Sequence, residues 1–241
     1  MRLSSTFLQY CASIGAANMA ITIYKLDASP PARAAMMVAE LLKLNYKTVD
    51  VNVLNGENLT PEYLEKNPLH TVPVLEDGDF VLADSHAIIT YLVSKYGAER
   101  RAELYPSDLR TRAIIDQRLF FDTSVVFPKL QRLFREIFAE KLLKPTEKDI
   151  AQANEAYGFI EKYLQRTGFI AMTDHLTVAD VSLVASVSTL DTLVPVDSKY
   201  EKLHEWWTGI KEMEWYQRAN LPGLAQFDGF MKQSMEKNAN A

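Results

Sequence analysis

Between residues 20 and 97 the apolar positions switch between a two-residue and a 3.6-residue rhythm, the signature of strands alternating with helices. The β-branched run AITIYK (20–25) predicts a buried strand. It stops at Asp27-Ala28-Ser29-Pro30-Pro31, where prolines fit a helix start because first-turn N–H groups lack intrahelical partners. Ala34, Ala35, Val38, Leu41 and Leu42 then recur at helical spacing, predicting a helix to about Leu44. A second strand follows over 46–53, and Thr60-Pro61 opens a short helix through Lys66. Residues 72–76 and 79–83, joined at Asp77-Gly78, predict a β-hairpin, and Ser85 to Tyr96 returns to helical spacing. The order is βαβ followed by ββα, which suits a small sheet covered by helices on both faces.

The character then changes. Residues 98–107, charged and ending in Pro106-Ser107, read as a linker. No strand-like segment follows. One long helix is expected over 108–141, kinked or offset at Pro128, with further helices over 146–166, 177–192 and 199–213. A short helical tail is expected after 220, with EKNANA frayed at the end. Thr177 with Asp180 forms a capping-box start flanked by a Leu176/Val181 staple, and Trp206, Trp207 and Trp215 are expected in the core. The expected layout is an N-terminal extension (1–19), an α/β domain (20–97), the linker and a helical domain (108–241).

Composition narrows the function classes. The 241 residues carry 26 Lys plus Arg against 31 Asp plus Glu, a net charge of −5 that gives no basic footprint for nucleic acid. A single cysteine, Cys11, forbids an intrachain disulfide framework, and four histidines without HxxxH spacing argue against a zinc site. No apolar run approaches the ~18–20 residues of a membrane span. In residues 1–19 the polar positions Ser4, Ser5, Thr6, Gln9 and Ser13 interrupt any signal-like apolar core. That segment is expected to be a disordered extension or an upstream start before Met19, and the protein to be cytoplasmic.

Three clusters could carry chemistry. Ser29 sits at a strand-to-helix junction, where free N–H groups and the helix macrodipole favour negative charge, although a serine there also serves as a plain N-cap. His70-Thr71-Val72-Pro73 enters a strand through a proline that is a candidate for a cis peptide. Such a bond would free the Val72 backbone to pair with an extended ligand; an edge-strand proline with no ligand is the competing reading. Asp84-Ser85-His86 opens a helix whose start can bind a carboxylate while Asp84 holds an ammonium, the two charges of an amino-acid head group.

Together and in this order, the clusters resemble the thioredoxin-like domain of cytosolic glutathione transferases. The phrases that carry the resemblance are Ser29-Pro30-Pro31-Ala32-Arg33, NPLHTVPVL (67–75) and DSHAIITYLVSKYG (84–97). In the helical half LYP (104–106), RLFFDTSVVFPKL (118–130) and LTVADVS (176–182) extend it. The wording is most similar to the insect epsilon class, with delta next. The resemblance implies a homodimer that conjugates glutathione to apolar electrophiles in detoxification, with peroxide reduction or dehydrohalogenation as side activities. It assigns Ser29 as the residue stabilising the glutathione thiolate, and Asn58, His70, Val72, Pro73, Asp84, Ser85 and His86 to glutathione binding. The electrophile would lie against Ala28, Pro30, Val53, Phe127, Leu130, Gln131, Phe134, Arg135 and Phe138. Two positions depart from the epsilon pattern. Asn58 stands where many members carry His, and Gln131 where many carry Arg, with Arg135 displaced by one turn, about 6 Å along the axis. A non-catalytic carrier of hydrophobic ligands on the same fold is the alternative; a CxxC oxidoreductase fails because no cysteine lies near Ser29.

Overall fold

The computed structural model describes residues 21–139 and 141–240, so the expectations for residues 1–19 lie outside the described residues. Strand β1 (Ile21–Lys25) leads into helix α1 (Pro30–Leu41), and β2 (Tyr46–Asp50) pairs with β1 in parallel. Two 3-10 turns (Val53–Asn55, Glu57–Leu59) and helix α2 (Pro61–Lys66) precede the hairpin of β3 (Val74–Asp77) and β4 (Phe80–Ala83). β3 runs antiparallel to both β1 and β4, giving a four-stranded mixed sheet in the order β2-β1-β3-β4. Helix α3 (Ser85–Tyr96) packs with α1 on one face, and α2 covers the other through Tyr63 against Val51 and Val74. This is a thioredoxin-like arrangement.

The segment expected as a linker is not free coil. It forms a 3-10 turn and a short helix, α4 (Arg101–Leu104), because Leu104 is fully buried and anchors it. Helices α5 (Leu109–Phe121), α6 (Phe127–Phe138), α7 (Glu147–Leu164), α8 (Val178–Leu193), α9 (Glu201–Lys211), α10 (Glu214–Ala219) and α11 (Leu221–Ala239) complete the chain.

The expected kink at Pro128 takes another form. A π turn over Asp122–Val126 joins α5 to α6, with the Phe127 N–H donating to the Asp122 carbonyl five residues back. Pro128 then falls in the first turn of α6, where its missing donor does no harm. The tail is also longer than expected. α11 runs 19 residues. Its end is pinned where the Asn238 amide donates to the carbonyls of Ile137 (2.8 Å) and Leu142 (3.1 Å).

The two halves share a continuous core. α1 is buried along nearly its whole length, between the sheet on one side and α8 and α10 on the other. Its alanines at 32, 34, 35 and 39 permit that close approach on every side. At the start of α8 the capping box forms as expected: the Thr177 N–H and hydroxyl donate to Asp180 Oδ2 at 2.9 and 3.0 Å. Asp180 also accepts from the Ile170 N–H and the Trp206 indole, so its four bonds tie three segments together.

Candidate functional site

The strand register brings four chain segments to one end of the sheet. Tyr24 lies opposite Val74 and Val74 opposite Ala83, so the residues after β1 and β4 are neighbours of those before β3. From β4 toward β2 the order at this end is Asp84-Ser85, Val72-Pro73, Ser29, then the 53–58 turns. At about 4.8 Å per strand the row spans about 14 Å, close to an extended tripeptide of about 10 Å with its terminal groups. Below this row, between the α/β half and the π turn with helices α6, α8 and α11, lies a cavity of about 560 Å³.

Ser29 lines the cavity and caps α1, its Oγ accepting the Ala32 N–H at 3.5 Å. Pro30 and Pro31 have no N–H, and the Arg33 N–H is committed to the Ser29 carbonyl at 3.0 Å. The expected supply of free N–H groups at this helix start therefore shrinks to Ala32 alone, and that N–H is already engaged by the long capping bond to Ser29 Oγ. The hydroxyl accepts in its capping bond, so its own proton stays available to donate. Capping and donation are compatible in one oxygen.

The Val72–Pro73 peptide is cis, and the Val72 N–H and C=O take no hydrogen-bond partner among the described residues. The flanking loop is held by its neighbours. The Thr71 carbonyl accepts from the Tyr63 hydroxyl (2.8 Å) and the Asn67 amide (2.9 Å). His70 adopts a left-handed conformation (φ 47°), and its carbonyl accepts from Asn58 Nδ2 at 2.7 Å. Asn58 thus braces the His70 loop with one N–H, while its Oδ1 is buried without a partner.

At the other end of the row Asp84 is held at φ 73°, ψ 120°, a conformation that costs a non-glycine residue about 1–3 kcal/mol. In return, its Oδ1 accepts from the His86 and Ala87 N–H groups at 2.9 and 3.1 Å. The Ser85 hydroxyl, at the first helical position, has no partner among the described residues and lines the cavity. The His86 ring lies between two carboxylates, with Nε2 3.3 Å from Asp122 Oδ2 and Nδ1 3.7 Å from Asp84 Oδ1. Burial pulls its pKa down, but the hydrogen bonds and charges of Asp122 and Asp84 outweigh it and lift the imidazole to about 9. The same contact with His86, helped by the backbone donors, holds the Asp84 carboxyl below its usual range despite burial. Asp122 also accepts the Ser182 hydroxyl at 2.6 Å, and its Oδ1 is buried without a partner.

Every glutathione-side residue named from the sequence lines this cavity, as do Ala28, Pro30, Val53, Phe127, Leu130, Gln131 and Phe134. Arg135 and Phe138 do not. Phe138 stacks on Phe134 at 5.6 Å and Phe230 at 5.3 Å, behind the wall they form, and Arg135 lies outside the lining. Sequence reasoning missed Asp122, Ser182 and the wall contributed by α11: Gln226, Phe227 and Phe230. The i, i+3 spacing of Phe227 and Phe230 was the available signal for α11. Nothing local marks Asp122 and Ser182, 60 residues apart, as partners.

Comparison with known proteins shows the family. Residues 23–100 match the family described as glutathione S-transferase, N-terminal domain. Glutathione S-transferase 1 of Manduca sexta is 45% identical over 210 residues, covering 85% of this chain and 94% of that protein. The chain belongs to the glutathione S-transferase family. Among solved structures, an epsilon-class glutathione S-transferase from the housefly, Musca domestica, superposes with a TM-score of 0.85 at 38% identity, covering 89% of this chain and 98% of that one. A Drosophila mojavensis glutathione transferase homologue solved with bound glutathione gives 0.84 at 41% identity, covering 89% and 97%. The helical half of this transferase is thus matched together with its thioredoxin-like half. Its activity is transfer to glutathione, its co-substrate. Among the described residues no group of His, Cys, Asp and Glu is placed to hold a metal, and no helix is long and apolar enough to cross a membrane.

Proposed function

We propose that glutathione lies along the row at the end of the sheet, with its sulfur at Ser29, and attacks an apolar electrophile held in the cavity below. The observation that carries this reading is the meeting, in one cavity, of a serine hydroxyl with a free proton, an unpaired backbone N–H and C=O at Val72, and the α3 start with Asp84 and Ser85. The γ-glutamyl ammonium pairs with Asp84 and its carboxylate with the Ser85 N–H and hydroxyl. The cysteinyl peptide pairs with Val72 across the cis Pro73 bond, and the glycyl end reaches His70 and Asn58. His86, shared by Asp84 and Asp122, positions Asp84.

Ser29 donates its hydrogen bond to the sulfur and favours the thiolate, keeping its own proton throughout. Lowering a thiol from about 8.5 by two units requires about 2.7 kcal/mol of preferential stabilisation. One charge-assisted hydrogen bond supplies about 1.5–3 kcal/mol, and the α1 macrodipole adds a few tenths to about 1. With an aryl halide the thiolate forms the new C–S bond and the halide departs with its electron pair. Ala28, Pro30, Val53, Phe127, Leu130 and Phe134, with Phe227 and Phe230, give the electrophile an apolar, aromatic bed.

The wording of the chain favours the epsilon class, a cytoplasmic location and a detoxifying role. A homodimer would set the α/β half of one subunit against the helical half of the other. The test is retention on immobilised glutathione followed by turnover of 1-chloro-2,4-dinitrobenzene, wild type against Ser29→Ala. We expect retention of both proteins, a loss of kcat/KM of about 10²-fold, and an upward shift of the kinetic pKa of bound thiol by about two units in the variant. Wild-type retention without turnover would mark a carrier, and an unshifted pKa would remove Ser29 from the mechanism.

A further inference from the structure

The electrophile side of the cavity is apolar at depth and carries amides at its rim. Leu130 and Phe227 are buried, and the Phe134 ring centroid lies 6.4 Å from that of Phe227 and 6.3 Å from that of Phe230. Gln131 follows Leu130 on α6 and Gln226 precedes Phe227 on α11; both are exposed and both line the cavity. Neither side-chain amide has a hydrogen-bond partner among the described residues. Each therefore offers two N–H donors and a carbonyl acceptor to whatever occupies the cavity.

The charges around this cavity are one-sided. No lysine or arginine lines it among the described residues. Lys129, Arg132 and Lys232, cations of the same two helices, pair with Glu155 (3.1 Å), Glu136 (2.6 Å) and Asp228 (2.7 Å), and Arg135 lies outside the lining. The His86 ring is shared by Asp84 and Asp122, two carboxylates against one imidazole. Glutathione bound as its thiolate adds three negative groups against one ammonium. An anion moved into an apolar bed without a counter-charge loses hydration that nothing replaces, and repulsion from the negative charges already there adds to that loss. A neutral polar group loses far less, and the two amides can restore its hydrogen bonds.

We propose that Gln131 and Gln226 make this rim a neutral hydrogen-bonding collar, so that the enzyme takes aromatic electrophiles whose outer substituent is uncharged and polar and turns away otherwise identical ones that carry a carboxylate there. The inference rests on the placement of glutathione and electrophile given above and names the class of electrophile that the cavity accepts.

The experiment compares 4-fluoro-3-nitrobenzamide with 4-fluoro-3-nitrobenzoate on the full chain at about pH 8, well above the ~6.5 of a free imidazole. In both, the thiolate forms the C–S bond and fluoride departs with its electron pair, while the group para to the reacting carbon points away from the sulfur. Each kcat/KM is divided by the rate constant of the uncatalysed reaction with glutathione, which removes the intrinsic difference in reactivity. We expect the wild-type enhancement for the benzamide to exceed that for the benzoate about 10-fold. Gln131→Arg supplies the missing cation and should cut that ratio to about one third or less by raising the benzoate, and Gln226→Arg on the neighbouring helix repeats the test. The double variant Gln131→Leu, Gln226→Leu should lower the benzamide about threefold relative to its trifluoromethyl analogue, which has no group to pair with an amide. A wild-type ratio under about 3, a ratio that neither arginine lowers, or a benzamide enhancement that the two leucines leave in place overturns the proposal while leaving the transferase reading intact. No turnover of 1-chloro-2,4-dinitrobenzene overturns both.

Discussion

His86 shows how one side chain can join binding geometry to stability. Its imidazole is 18% exposed and is held between Asp122 and Asp84, which raises it to about 9 from an ordinary 6.5. A folded-state pKa above the unfolded one means that the charged form stabilises the fold. That contribution is complete below about pH 6.5 and is lost as pH rises through about 9. Its upper value is about 3 kcal/mol. Urea unfolding at pH 6.5 and 9.5 should therefore show wild-type stability falling with pH, and His86→Gln should remove most of that fall. Equal slopes for the two proteins would show that the ion pairs contribute nothing. At the same scale the Ser29 oxygen leaves room for two duties that looked like rivals in the sequence, the cap it makes and the thiolate contact proposed for it. A capping serine uses its lone pair, whereas a thiolate needs its proton.

The elements differ in how plainly the chain announces them. β1, α1, the hairpin and α3 carry short-range signals: β-branched runs, Pro30-Pro31 at a helix start, Asp77-Gly78 at a turn. These survive folding because the tertiary structure agrees with them. The capping box at Thr177 and Asp180 is equally local, and it forms with the Asp180 carboxylate accepting from the Thr177 N–H and hydroxyl. The π turn at Asp122–Val126 is not legible, because a proline in a helical stretch predicts a break without saying where it will be absorbed. The length of α11 was hidden for another reason. Its last turn is held by Asn238 reaching carbonyls about a hundred residues away, contacts that leave no trace in local periodicity. α11 also supplies a sharp test. A β-carbon on Gly223 would lie 2.0 Å from the Asp27 carbonyl oxygen and 2.7 Å from Arg33 Cδ, so Gly223→Ala must push α11 off the loop that carries Ser29. Overpacking of this kind costs about 1–3 kcal/mol, so a Tm lower by roughly 5 °C is expected, with reduced kcat/KM. Gly229, in the same helix with nothing within 4 Å of an added β-carbon, is the control: Gly229→Ala should leave Tm unchanged or slightly raised. A normal Tm in Gly223→Ala would mean that the contact is not a constraint.

Over the whole molecule, the two halves are sewn together by a polar seam inside an apolar core. The Arg33 guanidinium is fully buried, donating to Asn220 Oδ1 at 2.6 Å and Thr189 Oγ1 at 2.5 Å, while its Nε has no partner. Burial pulls its pKa down to about 9, against the pull of Tyr216 and Asp27. Neutral oxygens on α8 and at the head of α11 therefore fix how α1, and the Ser29 loop before it, sits against the helical half. The outer surface offers a different kind of contact. Phe80 is 42% exposed, Val81 39% and Phe120 68%, apolar patches that the proposed homodimer would cover. Light scattering should then give twice the 27.3 kDa chain mass, and a monomer at micromolar concentration would remove the dimer from the proposal.

The contact between Gly223 and Asp27 also sets an order of events during biosynthesis. Ser29 lies near the start of the chain, yet the helix that backs its loop begins almost two hundred residues later. At 5–20 residues per second a ribosome needs roughly 10–40 s to cover that gap. Throughout that interval the thioredoxin-like half can be folded and its serine already present, but without the helix that packs against the Asp27 loop before it. On the role proposed for Ser29, a nascent chain stalled before Leu221 is a precursor with its chemistry unarmed, and competence arrives with α11.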